Sequence, residues 1–212
     1  FELLWNDTYK QMVSDKTIYN KYVPDNYKYY VFIEYMGGDF DNDYNTFEKV
    51  VIESIDKGIV EDAVVGRDEK EQLNIWGIRE DVAVLAEEKK FDQQFDISIP
   101  VAQIGEVIDK TIEELIDCDG VKTIFPFGHV ADGNIHFIIG KDSDDDNLKS
   151  KINDIIYTNT EAVEGSISAE HGIGIDKKQY LIKSRSRDEI ELMKIIKKSI
   201  DPKNILNPGR VF

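Results

Sequence analysis

A single cysteine, Cys118, in 212 residues rules out a disulfide framework and fits a reducing compartment, here expected to be cytoplasmic. As a small apolar side chain near a helix end, it needs no further role. Cations are scarce too: 26 Lys and Arg stand against 42 Asp and Glu, a net charge of −16. Nucleic acid and anionic membrane both require a basic face, so neither is an expected partner. No apolar run approaches the roughly 20 residues needed for a transmembrane segment. The opening Phe1-Glu2-Leu3-Leu4-Trp5-Asn6 lacks an initiator Met and a basic, apolar signal layout, so the chain is expected to be a fragment.

What is present suits a globular protein with a real core, one large domain or two small ones, and residues 1–212 are taken together as one. The β-branched and aromatic run Tyr29 to Met36 predicts a strand that stops at Gly37-Gly38. Phe47, Val50, Val51 and Ile55 have helical spacing within Asp43 to Lys57. A short strand over Val60 to Val65 and a long helix over Asp68 to Lys89 follow. Phe95 to Ile99 alternates apolar and polar up to Pro100, a half-buried strand, and Val101 to Ile116 is a helix. Val121 to Phe127 and Ile135 to Ile139 are strands. The acidic stretch Asp142 to Asp146 starts a helix running to Val163 rather than an EF-hand loop. Arg187 to Ile200 is the last helix. The pattern predicts an α+β class: an antiparallel or mixed sheet covered by helices on one side, with ferredoxin-like elements and a helical C-terminal segment.

Histidine is nearly absent as well, and its three copies fall inside two short segments, Phe127 to His136 and Ser168 to Gly174. Imidazole ligates metals and exchanges protons near neutral pH. Asp132-Gly133 is a strong hairpin signal. A two-residue type I′ turn there would set His129 directly opposite His136, with Cβ atoms roughly 4.5–5.5 Å apart. Glu170 is a natural third ligand, leaving positions open for substrate or water. Such a donor set suits Zn²⁺ first, and also admits Mn²⁺ or Fe²⁺. The plainer alternative is a hairpin carrying two stacked, hydrogen-bonded histidines. Asp132, Gly133 and Asn134 are explained by turn chemistry.

These segments resemble a known family. Gly128-His129-Val130-Ala131-Asp132-Gly133-Asn134-Ile135-His136 is similar to the GHxxDGNxH signature of FAD-linked 2-hydroxyacid dehydrogenases. Gly165 to Gly174 resembles their GSISAEHGIG, Asp201 to Arg210 their terminal DPKxILNPGK, and Ile75 to Glu80 their WxxRE helix. The resemblance implies the C-terminal, substrate-side domain of enzymes acting on D-lactate, glycolate or D-2-hydroxyglutarate, with the N-terminal FAD-binding domain outside this chain. It implies that His129, His136 and Glu170 hold a divalent ion, commonly zinc, which grips the substrate's hydroxyl and carboxylate oxygens. It further implies that His171 binds the hydroxyl and takes its proton as hydride leaves for flavin. Arg79 would bind a substrate carboxylate, and Asn207 would lie near the cofactor.

The resemblance implies partners as well: a small 2-hydroxy acid, and an FAD-binding domain in cis or on a separate chain. The isolated chain should then bind flavin poorly and turn over little. Two positions depart from the pattern of members acting on dicarboxylates: Gln94 replaces a lysine and Ile138 an asparagine. Both changes favour a monocarboxylate such as D-lactate. Two readings from other classes stay open on the residues alone. One is a metal-dependent hydrolase or isomerase using the His-His-Glu set, the other a non-catalytic interaction domain with a structural histidine cluster.

Overall fold

The computed structural model describes residues 1–87 and 91–212. It divides into two compact units, Phe1–Glu88 and Lys89–Phe212, although no linker is evident in the sequence.

The first unit opens with β1 (Glu2–Trp5), which runs directly into α1 (Asn6–Met12). β1 pairs antiparallel with β2 (Tyr29–Phe32), Leu4 opposite Tyr30. Tyr9 on α1 stacks on Tyr30 with ring centroids 3.7 Å apart, so a short helix and a short ladder share one aromatic core. α2 (Phe40–Asp56) and α3 (Glu69–Glu80) are each capped by an aspartate, Asp39 and Asp68, whose carboxylate accepts a backbone N–H of the first turn. The expected strand at Val60 to Val65 does not form; the segment is irregular, with a bend at Glu61 and no ladder partner among the described residues. The expected helix from Asp68 to Lys89 is interrupted at Asp81, and α4 (Ala83–Glu87) resumes it; its predicted end lies outside the described residues. Tyr19 donates its hydroxyl to the Asp81 carboxylate at 2.8 Å, which holds the break.

In the second unit, β3 (Phe91–Ser98) leads through a 3-10 turn to α5 (Ile104–Ile116), then β4 (Val121–His129), β5 (Asn134–Lys141) and α6 (Asp146–Glu161). β5 lies between β3 and β4 and is antiparallel to both. This β-α-β-β-α run is the split arrangement expected of ferredoxin-like elements, and the α+β class holds. α5 buries Ile104, Val107, Ile108, Thr111 and Leu115, and α6 buries Leu148, Ile152, Ile156 and Thr160, helical stripes both.

Those stripes cover one face of the three strands, where Phe95, Ile97, Ile135, Phe137 and Ile139 are fully buried. Phe95 meets Tyr157 of α6 edge-on at 5.5 Å. Each such side chain contributes about 1.5–3 kcal/mol by leaving water. By alternation, the opposite face carries Gln94, Asp96, Asn134, His136 and Ile138. α7 (Arg187–Ile200) begins with a reciprocal capping box between Ser186 and Glu189, and a turn-rich tail follows it.

Candidate metal centre and substrate site

The hairpin forms where Asp132-Gly133 predicts it, with a different loop. Val130 to Asp132 make a 3-10 turn, and Gly133 alone takes the left-handed conformation, φ +81. Asp132 Oδ1 accepts the Asn134 N–H at 3.1 Å and closes the turn. The loop is therefore four residues long, and His129 stands opposite Asn134 instead of His136. His136 pairs with Phe127 on one side and Asp96 on the other. The two imidazoles still meet, as diagonal neighbours on one face, with ring centroids 5.4 Å apart.

Glu170 arrives from a loop fixed at several points. Ser166 and Ser98 exchange both backbone hydrogen bonds at 2.8 Å. Gly165 passes so close that an added Cβ would sit 2.5 Å from the Ser98 carbonyl oxygen. Ser184 accepts the Ile167 N–H at 2.9 Å. Glu170 Oε1 then lies 3.7 Å from His129 Nε2, and Oε2 lies 3.8 Å from His136 Nε2. Ligands on a tetrahedral zinc with bonds of roughly 2.0–2.2 Å stand about 3.3–3.6 Å apart, so the three side chains need only small adjustment to share an ion. His171 follows on the same loop, its ring stacked 5.8 Å from that of His136.

One participant was not anticipated from the sequence. Asp96 is fully buried beneath the loop, and its Oδ2 accepts the N–H groups of Ala169, Glu170 and His171 at 2.8–3.0 Å and the Ser168 hydroxyl at 3.1 Å. Lys177 Nζ lies 3.7 Å from the same oxygen and donates to Ser168 Oγ at 3.1 Å. Burial pushes the Asp96 carboxyl up, but the His171 and Glu170 N–H groups, with the charge of Lys177, bring it below its ordinary value. Burial also lowers the Lys177 ammonium, against the attraction of Asp96. Asp96, His136, Glu170 and His171 each offer a ligand atom, all within 4.8 Å of one another. Asn134 fills its turn role through its backbone, yet its side-chain amide is buried with neither end hydrogen-bonded among the described residues.

Arg79 belongs to the first unit, in the last turn of α3. It is buried rather than on a helix surface, and its Nε and Nη2 both engage Glu2 Oε2 at 2.8 Å. Asn207 is exposed on the tail after α7, in the left-handed conformation at φ 48.

The family profile described as FAD linked oxidases, C-terminal domain, matches residues 1–211. The chain belongs to that family. It is 32% identical over all 212 residues to the mitochondrial D-2-hydroxyglutarate dehydrogenase of Arabidopsis thaliana, covering 37% of that protein. It is 35% identical to the D-2-hydroxyglutarate dehydrogenase of Stutzerimonas stutzeri over 177 residues, 79% of this chain and 36% of that protein. A putative mitochondrial D-lactate dehydrogenase of Schizosaccharomyces pombe is 29% identical over 217 residues, 98% of this chain and 41% of that protein. The chain thus spans well under half the length of these relatives. Among the described residues, no helix is long and apolar enough to cross a membrane.

Proposed function

We propose that the chain is the substrate- and metal-binding part of an FAD-dependent dehydrogenase that oxidises a D-2-hydroxy acid to the 2-oxo acid. The observation that carries this reading is the convergence of His129, His136 and Glu170 on one sheet face with His171 beside them. Two imidazoles and a carboxylate at these separations suit a divalent ion, zinc first. Such an ion, when bound, supplies Lewis acidity that lowers the pKa of a substrate hydroxyl. Flavin, when held mainly by a domain in cis or on a separate chain, would supply the hydride acceptor.

The chain's own residues do the rest. Glu170 and His129 are partly exposed, so the cluster opens toward a ligand. An imidazole nitrogen of His171 takes the hydroxyl proton as the carbon gives up hydride. Arg79 receives a substrate carboxylate, which requires Glu2 to share the guanidinium. Asn207 is assigned to the cofactor side of the tail. Two of the relatives above are D-2-hydroxyglutarate dehydrogenases by name. Here, however, Gln94 and Ile138 stand opposite each other, two rungs along the ladder from Asp96 and His136 on the same face, and bring no cation for a second carboxylate. A monocarboxylate such as D-lactate is the substrate we assign. With one cysteine, we place the protein in a reducing compartment, the cytoplasm.

Metal analysis tests the core of this reading. Purified chain should carry about one zinc, and His129→Ala or His136→Ala should remove it. The isolated chain should hold little flavin. Stoichiometric flavin in it, or activity without any redox acceptor, would overturn the assignment in favour of a different chemistry.

A further inference from the structure

We propose that Asp96 is a positioning residue for this site: one buried carboxylate aims His136 through Oδ1 and holds Glu170 and His171 in place through Oδ2. The proposal rests on the metal reading above and names a residue which that reading does not use.

The two oxygens have separate surroundings. Oδ2 gathers three consecutive backbone N–H groups, those of Ala169, Glu170 and His171, and the Ser168 hydroxyl. Three N–H groups converging on one oxygen fix the peptide planes on which Glu170 and His171 depend. Oδ1 is buried and has no hydrogen-bond partner among the described residues. It faces His136 Nδ1 at 3.9 Å, across the rung on which Asp96 and His136 are paired. A carboxylate oxygen only accepts, so the nitrogen turned toward it carries the proton. Nε2 lies 3.8 Å from Glu170 Oε2, but that carboxylate is half exposed and water can satisfy it, whereas the buried Oδ1 depends on His136, so the proton is held on Nδ1 and Nε2 is left free for an ion. A metal-ligating histidine needs that tautomer, and outer-shell carboxylates commonly enforce it.

Asp96 serves as a positioning group and not as a ligand, because Oδ2 is saturated by the loop and Oδ1 is turned to the far nitrogen of His136. Asp96→Asn separates these roles. The loop N–H groups require an acceptor, so the amide oxygen takes the Oδ2 place and the NH₂ faces His136. The ring then accepts at Nδ1 and carries its proton on Nε2, the atom the ion requires.

The chain has three histidines, so ¹⁵N-histidine labelling gives three imidazoles, and His136→Gln assigns the one in question. Metal-free wild type, above the imidazole titration range, should show His136 as Nδ1–H. Asp96→Asn should show Nε2–H, with Co²⁺ affinity lower by about 10–100-fold. Ser168→Ala, which removes a hydroxyl donor to Oδ2 and an acceptor for Lys177 Nζ but changes nothing at Oδ1, should leave both readouts as in wild type. A folded Asp96→Asn with the wild-type tautomer and wild-type Co²⁺ affinity overturns the proposal. If that variant does not fold, the wild-type spectrum decides, and an Nε2–H signal for His136 overturns it equally. A wild-type chain that takes up no Co²⁺ sinks the metal reading, and the tautomer comparison then judges Asp96 by itself.

Discussion

The backbone N–H of Val211 donates to the carbonyl of Gly174 across 2.8 Å, so the last residues of the chain are tied to the loop that carries His171. Lys178 adds a second tie, donating from Nζ to the Gly209 carbonyl at 3.2 Å. Val211 makes its bond at φ 72, a conformation that costs a β-branched residue about 1–3 kcal/mol. Two variants with opposite signs follow. Deleting residues 209–212 should speed amide exchange over residues 172–178, because both ties are lost. Val211→Gly keeps the N–H and relieves the strain, so it should raise stability by about 1 kcal/mol. Denaturant unfolding and hydrogen exchange read the two effects. A deletion that leaves exchange unchanged would mean the tail contributes nothing to the loop.

The same tail is anchored further back by Asp201. Its carboxylate accepts the Lys197 ammonium at 2.5 Å and the N–H groups of Ile205 and Leu206 at 3.0 and 2.9 Å. Lys197 chiefly, with those two N–H groups, holds the carboxyl well below 3.8, at about 2, against the opposing effect of burial. The folded state therefore binds fewer protons than the unfolded chain between pH 2 and 3.8. Its stabilisation is complete above the unfolded value and is lost as pH falls toward 2. Asp201→Asn should melt lower than wild type at neutral pH, and the two curves should converge under strong acid. A constant gap in melting temperature across that acid range would contradict the assignment.

Gly133 and Gly172 share φ +81 but differ in surroundings, which makes them a controlled pair. A Cβ on Gly133 would meet the Ile99 carbonyl oxygen at 2.2 Å, and that backbone is held by the Ile99 N–H bond to Gly133 at 2.9 Å. A Cβ on Gly172 meets open space. Gly172→Ala should cost about 1–2 kcal/mol, the backbone penalty alone. Gly133→Ala adds a clash with immovable backbone and should cost about 3 kcal/mol or more. Equal losses in urea unfolding would show that the hairpin turn relaxes freely.

How far the sequence reveals this molecule depends on the range of each interaction. The helices at α5 and α6, the acidic start of α6 and the Asp132-Gly133 turn are local features, and they appear where spacing and turn chemistry put them. Loop length is less legible: Asp132-Gly133 marks a turn without saying whether two or four residues form it. The resulting shift moves the partner of His129 from His136 to Asn134, an even number of residues, so both imidazoles keep the same face and still meet. Val60 to Val65 looks like a strand but acquires no ladder, which no local pattern can report. Asp96 reads in sequence as the solvent-facing half of an alternating strand. What buries it is a loop more than 70 residues away, with the His171 N–H separated from it by 75 positions.

The substrate assignment can be decided by a ratio. Gln94 is exposed and donates to Asp92 Oδ2 at 2.8 Å, while Ile138 opposite is buried, and both share the His136 face. A second carboxylate reaching this part of the sheet would find an amide and a methyl surface where it needs a cation. Lys177, a cation associated with this cluster, is already engaged by Asp96 and Ser168. In the protein carrying this chain with its flavin, kcat/KM for D-lactate should exceed that for D-2-hydroxyglutarate. Gln94→Lys should move the ratio toward the dicarboxylate by about tenfold or more, since a charge-assisted hydrogen bond contributes about 1.5–3 kcal/mol. The change should fall mainly on KM, because the new ammonium would touch a part of the substrate remote from the reacting carbon. A wild-type preference for D-2-hydroxyglutarate, unmoved by Gln94→Lys, would show that its second carboxylate is read by a cation elsewhere.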